Sequence, residues 1–393
     1  MTHAILAPSA AERWTRCPGS VALAEQYGEP DTGSPYAAEG TAAHELAAQA
    51  LQEGNEPQDY VGEVFEGYEA TPEMAEYVAQ YTDQVRSIAY ADAWVEEWID
   101  VEDVPGVSGT PDFVGVDDIA EEVHVHDLKY GRGVRVDAAE NRQLMLYALG
   151  AVRRAQALGY TITDARLFIH QPRRSHRDEW VVSVADLEAF AEQARTAART
   201  ALAIKDGTEL FSREALVASE PACRWCPAKA HCPELADETA QTVYGELFSM
   251  SNLSEAKTPR PVDGLDTEQL AEVLARVDQI EGWCKAIRDR AAAELQAGRE
   301  VPGYKLVEGK RGARQWSDPQ EAERMLRGTF RLRKDEAYSF KLISPTQAGK
   351  LLSPQRYRKL HDLISQPPGK PALAPESDKR PSISQSADAS EFE

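Results

Sequence analysis

The 393-residue chain has no run near the roughly 18 apolar residues that a membrane span needs. Its first residues, MTHAILAPSAAERW, carry neither a basic segment nor a long apolar one. No signal peptide is expected, and the sequence reads as cytoplasmic with no membrane partner. Cysteine is scarce, at five residues, and thiols stay reduced in such a compartment. Disulfides are therefore not expected, and clustered cysteines point to metal or redox chemistry. Positive charge is also short: 43 Lys and Arg stand against 65 Asp and Glu, a net charge of −22. That total argues first against nucleic acid as a partner. No internal repeat is visible, which excludes solenoid architectures.

The charge is not evenly spread. Residues 45–103 hold sixteen acids and a single base, Arg86. Residues 129–177 hold ten bases against Asp137, Glu140 and Asp164. A local field of that sign is either a phosphate groove or a scatter of solvated charge.

Hydrophobic content of 42% allows a sizeable core, and the length suggests two or three domains. Ser9 and Glu12 read as a capping box opening a helix through SAAERWTRC. Residues 28–36 read as loop, and EGTAAHELAAQALQEG as a helix. Thr71-Pro72-Glu73 is a helix start, with the helix reaching about Tyr90. Period-two patterning then predicts a three-stranded meander across 94–130. Asp137 and Glu140 read as a second capping box, for a helix ending at Gly159. Strands follow at 165–170 and at EWVVSV, then a helix from Asp186 to about Ile204. The order is that of an α/β domain with a mixed sheet. Residues 1–248 form this domain, 249–265 read as linker, and 266–366 as an accessory helical and α+β region with one long helix over 267–297. Residues 367–393, rich in Pro, Ser and Lys, read as a disordered tail. Tyr304, Lys305, Lys310, Arg311, Arg314 and Trp316 form a second basic run, read as a solvated ribbon or an extension of a groove.

Two constellations carry chemistry. In HDLKYG, Asp127 and Lys129 lie two apart on a strand and share a face. Asp112, in GTPDF, lies on a neighbouring strand. Two carboxylates so placed suit Mg²⁺, with the Leu128 carbonyl as a further ligand, and His44 on the preceding helix tilts the set toward Mn²⁺. The second constellation is CRWCPAKAHC, with Cys223, Cys226 and Cys232 in ten positions. Spacing alone leaves zinc, completed by His231 or a distant residue, and an iron–sulfur cluster both open. Cys17 and Cys284 are the candidate fourth thiols, Cys284 inside a helix reading as a core residue.

GTPDF, HDLKYG, the histidine-bearing EGTAAHEL and the Gln143/Tyr147 pair of RQLMLYALG together resemble the RecB branch of the PD-(D/E)XK nucleases, over about residues 5–235. The resemblance implies a restriction-endonuclease-like α-β-β-β-α-β core, with a C-terminal α+β extension as in phage proteins of that branch. It implies metal-dependent hydrolysis of DNA, with single-stranded ends preferred, in recombination, repair or replication. A recombination or replication protein is an implied partner. The location would be the host cytoplasm if a phage encodes the chain. Asp112 and Asp127 would bind Mg²⁺ or Mn²⁺ with His44, Lys129 would position the water, and Gln143 and Tyr147 would line the site. Asp127 stands where many relatives carry Glu. The AddB-type and CRISPR-associated members hold a [4Fe–4S] cluster on one cysteine before the core and C-x2-C-x5-C after it. Cys17, Cys223, Cys226 and Cys232 match that arrangement, which implies an iron–sulfur staple. A nuclease fold without activity that only binds nucleic acid, and a zinc-stapled phage interaction protein, are the competing readings.

Overall fold

The computed structural model describes residues 5–27, 35–244, 266–305 and 324. The chain divides into two units, Met1–Leu306 and Val307–Glu393, and the sheet with its helices belongs to the first. The expected linker at 249–265, the α+β region beyond 305 and the C-terminal tail lie outside the described residues. Among the described residues no helix is long and apolar enough to cross a membrane.

The helices are α1 (Ala11–Trp14), α2 (Ser20–Tyr27), α3 (Pro35–Glu53), α4 (Pro72–Arg86), α5 (Arg142–Ala157), α6 (Val184–Lys205), α7 (Glu220–Cys223), α8 (Pro233–Tyr244), α9 (Thr267–Leu274) and α10 (Val277–Gln296). The strands are β1 (Val64–Phe65), β2 (Tyr68–Glu69), β3 (Asp92–Val95), β4 (Ile99–Asp100), β5 (Ser108–Gly109), β6 (Phe113–Asp117), β7 (Glu122–Leu128), β8 (Asp164–Gln171) and β9 (His176–Ser183). The main sheet has five strands in the order β3-β6-β7-β8-β9, mixed because only β7 and β8 run parallel. A parallel pair needs a long crossover, and α5 supplies it. The architecture is thus mixed α/β.

Several local expectations are corrected. The Ser9–Glu12 box does not form. A 3₁₀ turn at Pro8–Ala10 leads into α1 with no side-chain cap, and Glu12 pairs with Arg16 at 3.0 Å. The first strand of the meander is cut at Glu96, whose φ of +49° is left-handed. The following WID segment leaves the sheet and pairs with Ser108–Gly109 as a separate hairpin. The Asp137–Glu140 box is replaced by Asn141, whose side chain accepts from the Leu144 N–H at 3.2 Å. Asp137 is occupied by Arg135, and Glu140 has a left-handed φ of +55°. The long C-terminal helix breaks at Ala275–Arg276 into α9 and α10, and no glycine or proline marks that break. Thr71 does cap α4, accepting from the Met74 N–H at 3.1 Å, a contribution of about 1 kcal/mol.

Alternation along the strands builds two cores. One face of the sheet presents Val114, Val116, Val123, Val125, Leu167 and Ile169 to α5 and α6. At the other face Phe113, Leu128 and Tyr130 pack with α3 and α4 residues such as Leu46, Met74 and Tyr81. Two glycines permit close approach: a Cβ at Gly115 would stand 2.3 Å from the Tyr90 ring, and one at Gly150 would stand 2.3 Å from Ile99.

The second face also buries three histidines. His126 bonds His170 at 3.0 Å and the Tyr90 hydroxyl at 2.9 Å, and His124 bonds Glu122 at 3.0 Å. Burial, with Arg177 nearby, pushes the His170 pKa from 6.5 down to about 3. The unfolded chain therefore takes up a proton near pH 6.5 that the native state refuses until about pH 3. Stability should fall as pH drops through that window, by up to about 5 kcal/mol from this group. Urea unfolding between pH 7 and 4 should show a shallower loss for His170→Phe than for the wild type, and equal slopes would refute the assignment.

Candidate functional site

The carboxylates meet at the C-terminal end of β7, where the two cores join. Asp112 sits just before β6, and its Oδ2 accepts the Leu128 N–H at 2.6 Å and lies 3.5 Å from His44 Nε2. His44, on α3, donates from Nδ1 to the Gly40 carbonyl at 2.8 Å, which turns Nε2 toward Asp112. Lys129 Nζ donates to Asp127 Oδ1 at 3.0 Å and to Gln143 Oε1 at 3.2 Å. Gln143 Nε2 donates to the same Asp127 oxygen at 3.0 Å. Gln143 is the second residue of α5, so the Asn141 cap fixes its height beside the strand. Tyr147, one turn later, is buried, with its hydroxyl 3.1 Å from where a Gly109 Cβ would stand. Leu128 contributes its N–H to this network, between the two carboxylates.

The electrostatics follow from burial and pairing. Burial disfavours charge on Asp112, but His44 and Lys129, with the Leu128 N–H, more than offset it and hold its pKa below the usual value. Burial and the charge of Asp112 push Asp127 up, against the pull of Lys129. Burial works against the His44 cation, yet the charge of Asp112 dominates and raises its pKa to about 10. Lys129 loses solvation too, and Asp127 and Asp112 still raise its pKa above the ordinary lysine value. Lys129 is thus a fixed cation at neutral pH and not a base.

Two buried polar atoms here have no hydrogen-bond partner: Asp127 Oδ2 and the Tyr81 hydroxyl. Asp127 Oδ2 is nonetheless in ion-pair contact with Lys129 Nζ at 2.9 Å, so the ammonium faces both carboxylate oxygens. Among the described residues, no three His, Cys, Asp or Glu side chains stand in the geometry of a single-metal site. Asp112 is turned onto His44, and Asp127 onto Lys129.

Two residues of the site carry no signal in the sequence. Tyr81 of α4 has its pKa raised by burial and by both aspartates. Glu96 shares a narrow space with His44, Asp112 and Leu128, and burial and Asp112 raise its pKa to about 7. Its left-handed backbone is a local strain signature that no residue pattern announces.

The cysteines form a separate buried cluster. Cys17 and Cys226 pack with Leu23, Leu216, Ala222 and Ala228, with Cys232 against them. All are free thiols. Burial raises the Cys223 pKa to about 12, and the Cys226, Cys232 and Cys17 sulfurs add to the shift. Backbone N–H groups nevertheless aim at each sulfur: Val217 to Cys17 at 3.3 Å and Leu235 to Cys232 at 3.5 Å, with Ser219 favouring the Cys223 thiolate and Ala228 that of Cys226. Among the described residues these sulfurs are not placed as a group of three or more that could hold a metal ion. His231 stacks on Tyr27 at 4.5 Å, and Cys284 lies on α10 across a cavity from Cys223.

The bases of 129–177 are paired and do not form a free groove, and several of the pairs lie at the exposed surface. Part of the stretch meets the acidic segment: Arg132 meets Glu73 at 3.4 Å, Arg153 meets Asp103 at 2.8 Å and Arg154 meets Glu97 at 2.5 Å, while Arg173 meets Glu39, outside that segment, at 2.9 Å. Arg135, Arg142, Arg166 and Arg177 pair with Asp137, Glu12, Glu122 and Glu179, while Arg174 bonds the Arg132 and Gly133 carbonyls. Arg142 is thereby tied to α1, and it also bonds Thr15 at 2.8 Å.

A family model described as a protein of unknown function (DUF2800) matches residues 3–381, and the chain belongs to that family.

Proposed function

We propose that this member of the DUF2800 family is a metal-dependent DNA nuclease with a PD-(D/E)XK-type core stapled by a four-cysteine iron–sulfur cluster. The observation that supports the reading is the buried pair Asp112 and Asp127 beside Lys129, which stays charged at neutral pH. In kind these donors suit a hard cation, with His44 and the Leu128 carbonyl as further ligands, but the side chains would have to turn from their present partners to hold one. Bound there, Mg²⁺ or Mn²⁺ would polarise a phosphodiester and make water a nucleophile at neutral pH.

The protein's own groups do the rest. Lys129 carries a fixed positive charge to the place where charge develops on a phosphate, and orients a water by hydrogen bonding. Gln143 braces Lys129 and Asp127 together, so it acts as a positioning residue. Tyr147 supports Gln143 from the next turn of α5. His44 holds its proton against Asp112 in this state and must release it to become a ligand, so metal affinity should rise with pH. The cysteine cluster takes a structural role, joining α1 to the segment after α6.

The test is cleavage of linear single- and double-stranded DNA by anaerobically prepared protein with Mg²⁺ or Mn²⁺. Wild type should cleave, single strands faster, and Asp127→Ala should be inert. Wild-type protein that binds DNA but cleaves under no divalent metal would sink the reading in favour of a binding module.

A further inference from the structure

Trp225 lies between two cysteines of the clasp, yet 77% of it is exposed. It therefore does not pack over the sulfur cluster. It borders a cavity of about 820 Å³ between the 223–229 segment and α10. The half-buried Lys229 reaches into that gap: its Nζ donates to the Arg224 carbonyl at 2.7 Å and stands 3.9 Å from where a Gly282 Cβ would be. Arg288, on α10, lines the same cavity.

The arginines of 129–177 are held by carboxylates or carbonyls. Lys229 and Arg288 have no carboxylate within 4 Å among the described residues; the same holds for Arg13 and Arg290, which bond the Ser20 and Ala230 carbonyls, and for Arg174, Arg199 and Lys305. Arg13 and Lys229 are both close enough to Cys226 to favour its thiolate. On a chain of net charge −22, two cations without a carboxylate partner, Lys229 and Arg288, thus line the cavity beside Trp225. The paired Arg224–Glu220 and the acids Asp278 and Glu281 also line the cavity, so it is not a general anion sink.

We infer that this cavity binds a segment of single-stranded nucleic acid, one base stacked on Trp225 and its flanking phosphates on Lys229 and Arg288. An exposed indole with adjacent cations is the recognition chemistry of an unpaired strand, whose bases offer free faces, whereas a duplex hides them. The location is apt. α7 packs on α1 and α1 packs on α5, the helix that carries Gln143 and Tyr147, so a strand held here lies one helix from the carboxylate site. The inference rests on the nuclease reading only for the choice of polymer.

Binding of a fluorescein-labelled oligothymidylate of about 15 nucleotides, read by anisotropy in EDTA, separates this from cleavage. Trp225→Ala should weaken binding roughly tenfold, and Trp225→Phe should restore most of it. The Lys229→Gln/Arg288→Gln double variant should flatten the logarithmic salt dependence by about 1.4, at about 0.7 for each phosphate no longer neutralised. Trp225 and Arg288 are exposed, so these variants should keep the wild-type melting temperature. Wild-type affinity in all variants would overturn the inference, as would failure of the wild type to bind or an equal loss for duplex DNA. Variants that bind like wild type while wild type still cleaves would leave the nuclease reading standing. Weakened variants of a protein that never cleaves would remove the nuclease reading and keep the binding surface.

Discussion

Lys129→Ala should reduce cleavage by a factor of about 10³ or more at saturating metal. Lys129 is the one cation among the described residues that touches both Asp127 and Gln143, at 3.0 and 3.2 Å. Its pKa is raised, so it contributes charge and hydrogen bonds at every physiological pH. Removing it also leaves Asp127 buried beside Asp112 without its counter-ion, and breaking such a pair costs about 3–5 kcal/mol in the metal-free protein. The two effects separate in calorimetry. Lys129→Ala should be less stable than wild type in EDTA but regain most of that loss with Mn²⁺, whose charge replaces the ammonium. Asp127→Ala should lose Mn²⁺ binding itself. A Lys129→Ala protein that cleaves at the wild-type rate would remove Lys129 from the chemistry.

Cys17→Ala should be the most destabilising change away from the carboxylates. Cys17 lies 206 residues before Cys223, yet the two sulfurs share one buried cluster. A cluster ligated by both closes that loop, and closing a loop of this length restricts the unfolded chain by about 5 kcal/mol. Direct packing adds to it, since Gly19 N–H bonds the Ala215 carbonyl at 2.9 Å in the same junction. Anaerobically prepared wild type should be brown, with about four irons per chain. Cys17→Ala should lose iron and unfold at a markedly lower temperature, while Cys284→Ala should keep both. One tightly bound zinc in colourless wild type would replace the iron–sulfur assignment.

Much of the site is legible in the sequence because it is local. Strand alternation puts Asp127 and Lys129 on one face, and the i, i+4 spacing puts Gln143 below Tyr147, whatever the rest of the chain does. Element types are legible for the same reason, as with Thr71 and Pro72 opening α4. The capping boxes expected at Ser9 and Asp137 do not form because an acid able to cap is also able to pair, and there Arg16 and Arg135 take the acids. Glu96 and Tyr81 are invisible because only the fold brings them to Asp112.

The sequence alone determined the alternating strands, the helix between them and the residues of the carboxylate and cysteine motifs, since each rests on neighbours a few positions apart. Only the tertiary structure decided what the charges do. Three arginines of residues 129–177 find acids of residues 45–103 in ion-pair contact, and most of the remaining bases pair with acids elsewhere in the fold. Of the cations that escape this pairing, the fold sets Lys229 and Arg288 beside Trp225, because charge pairing is settled by distance in space and not by separation along the chain.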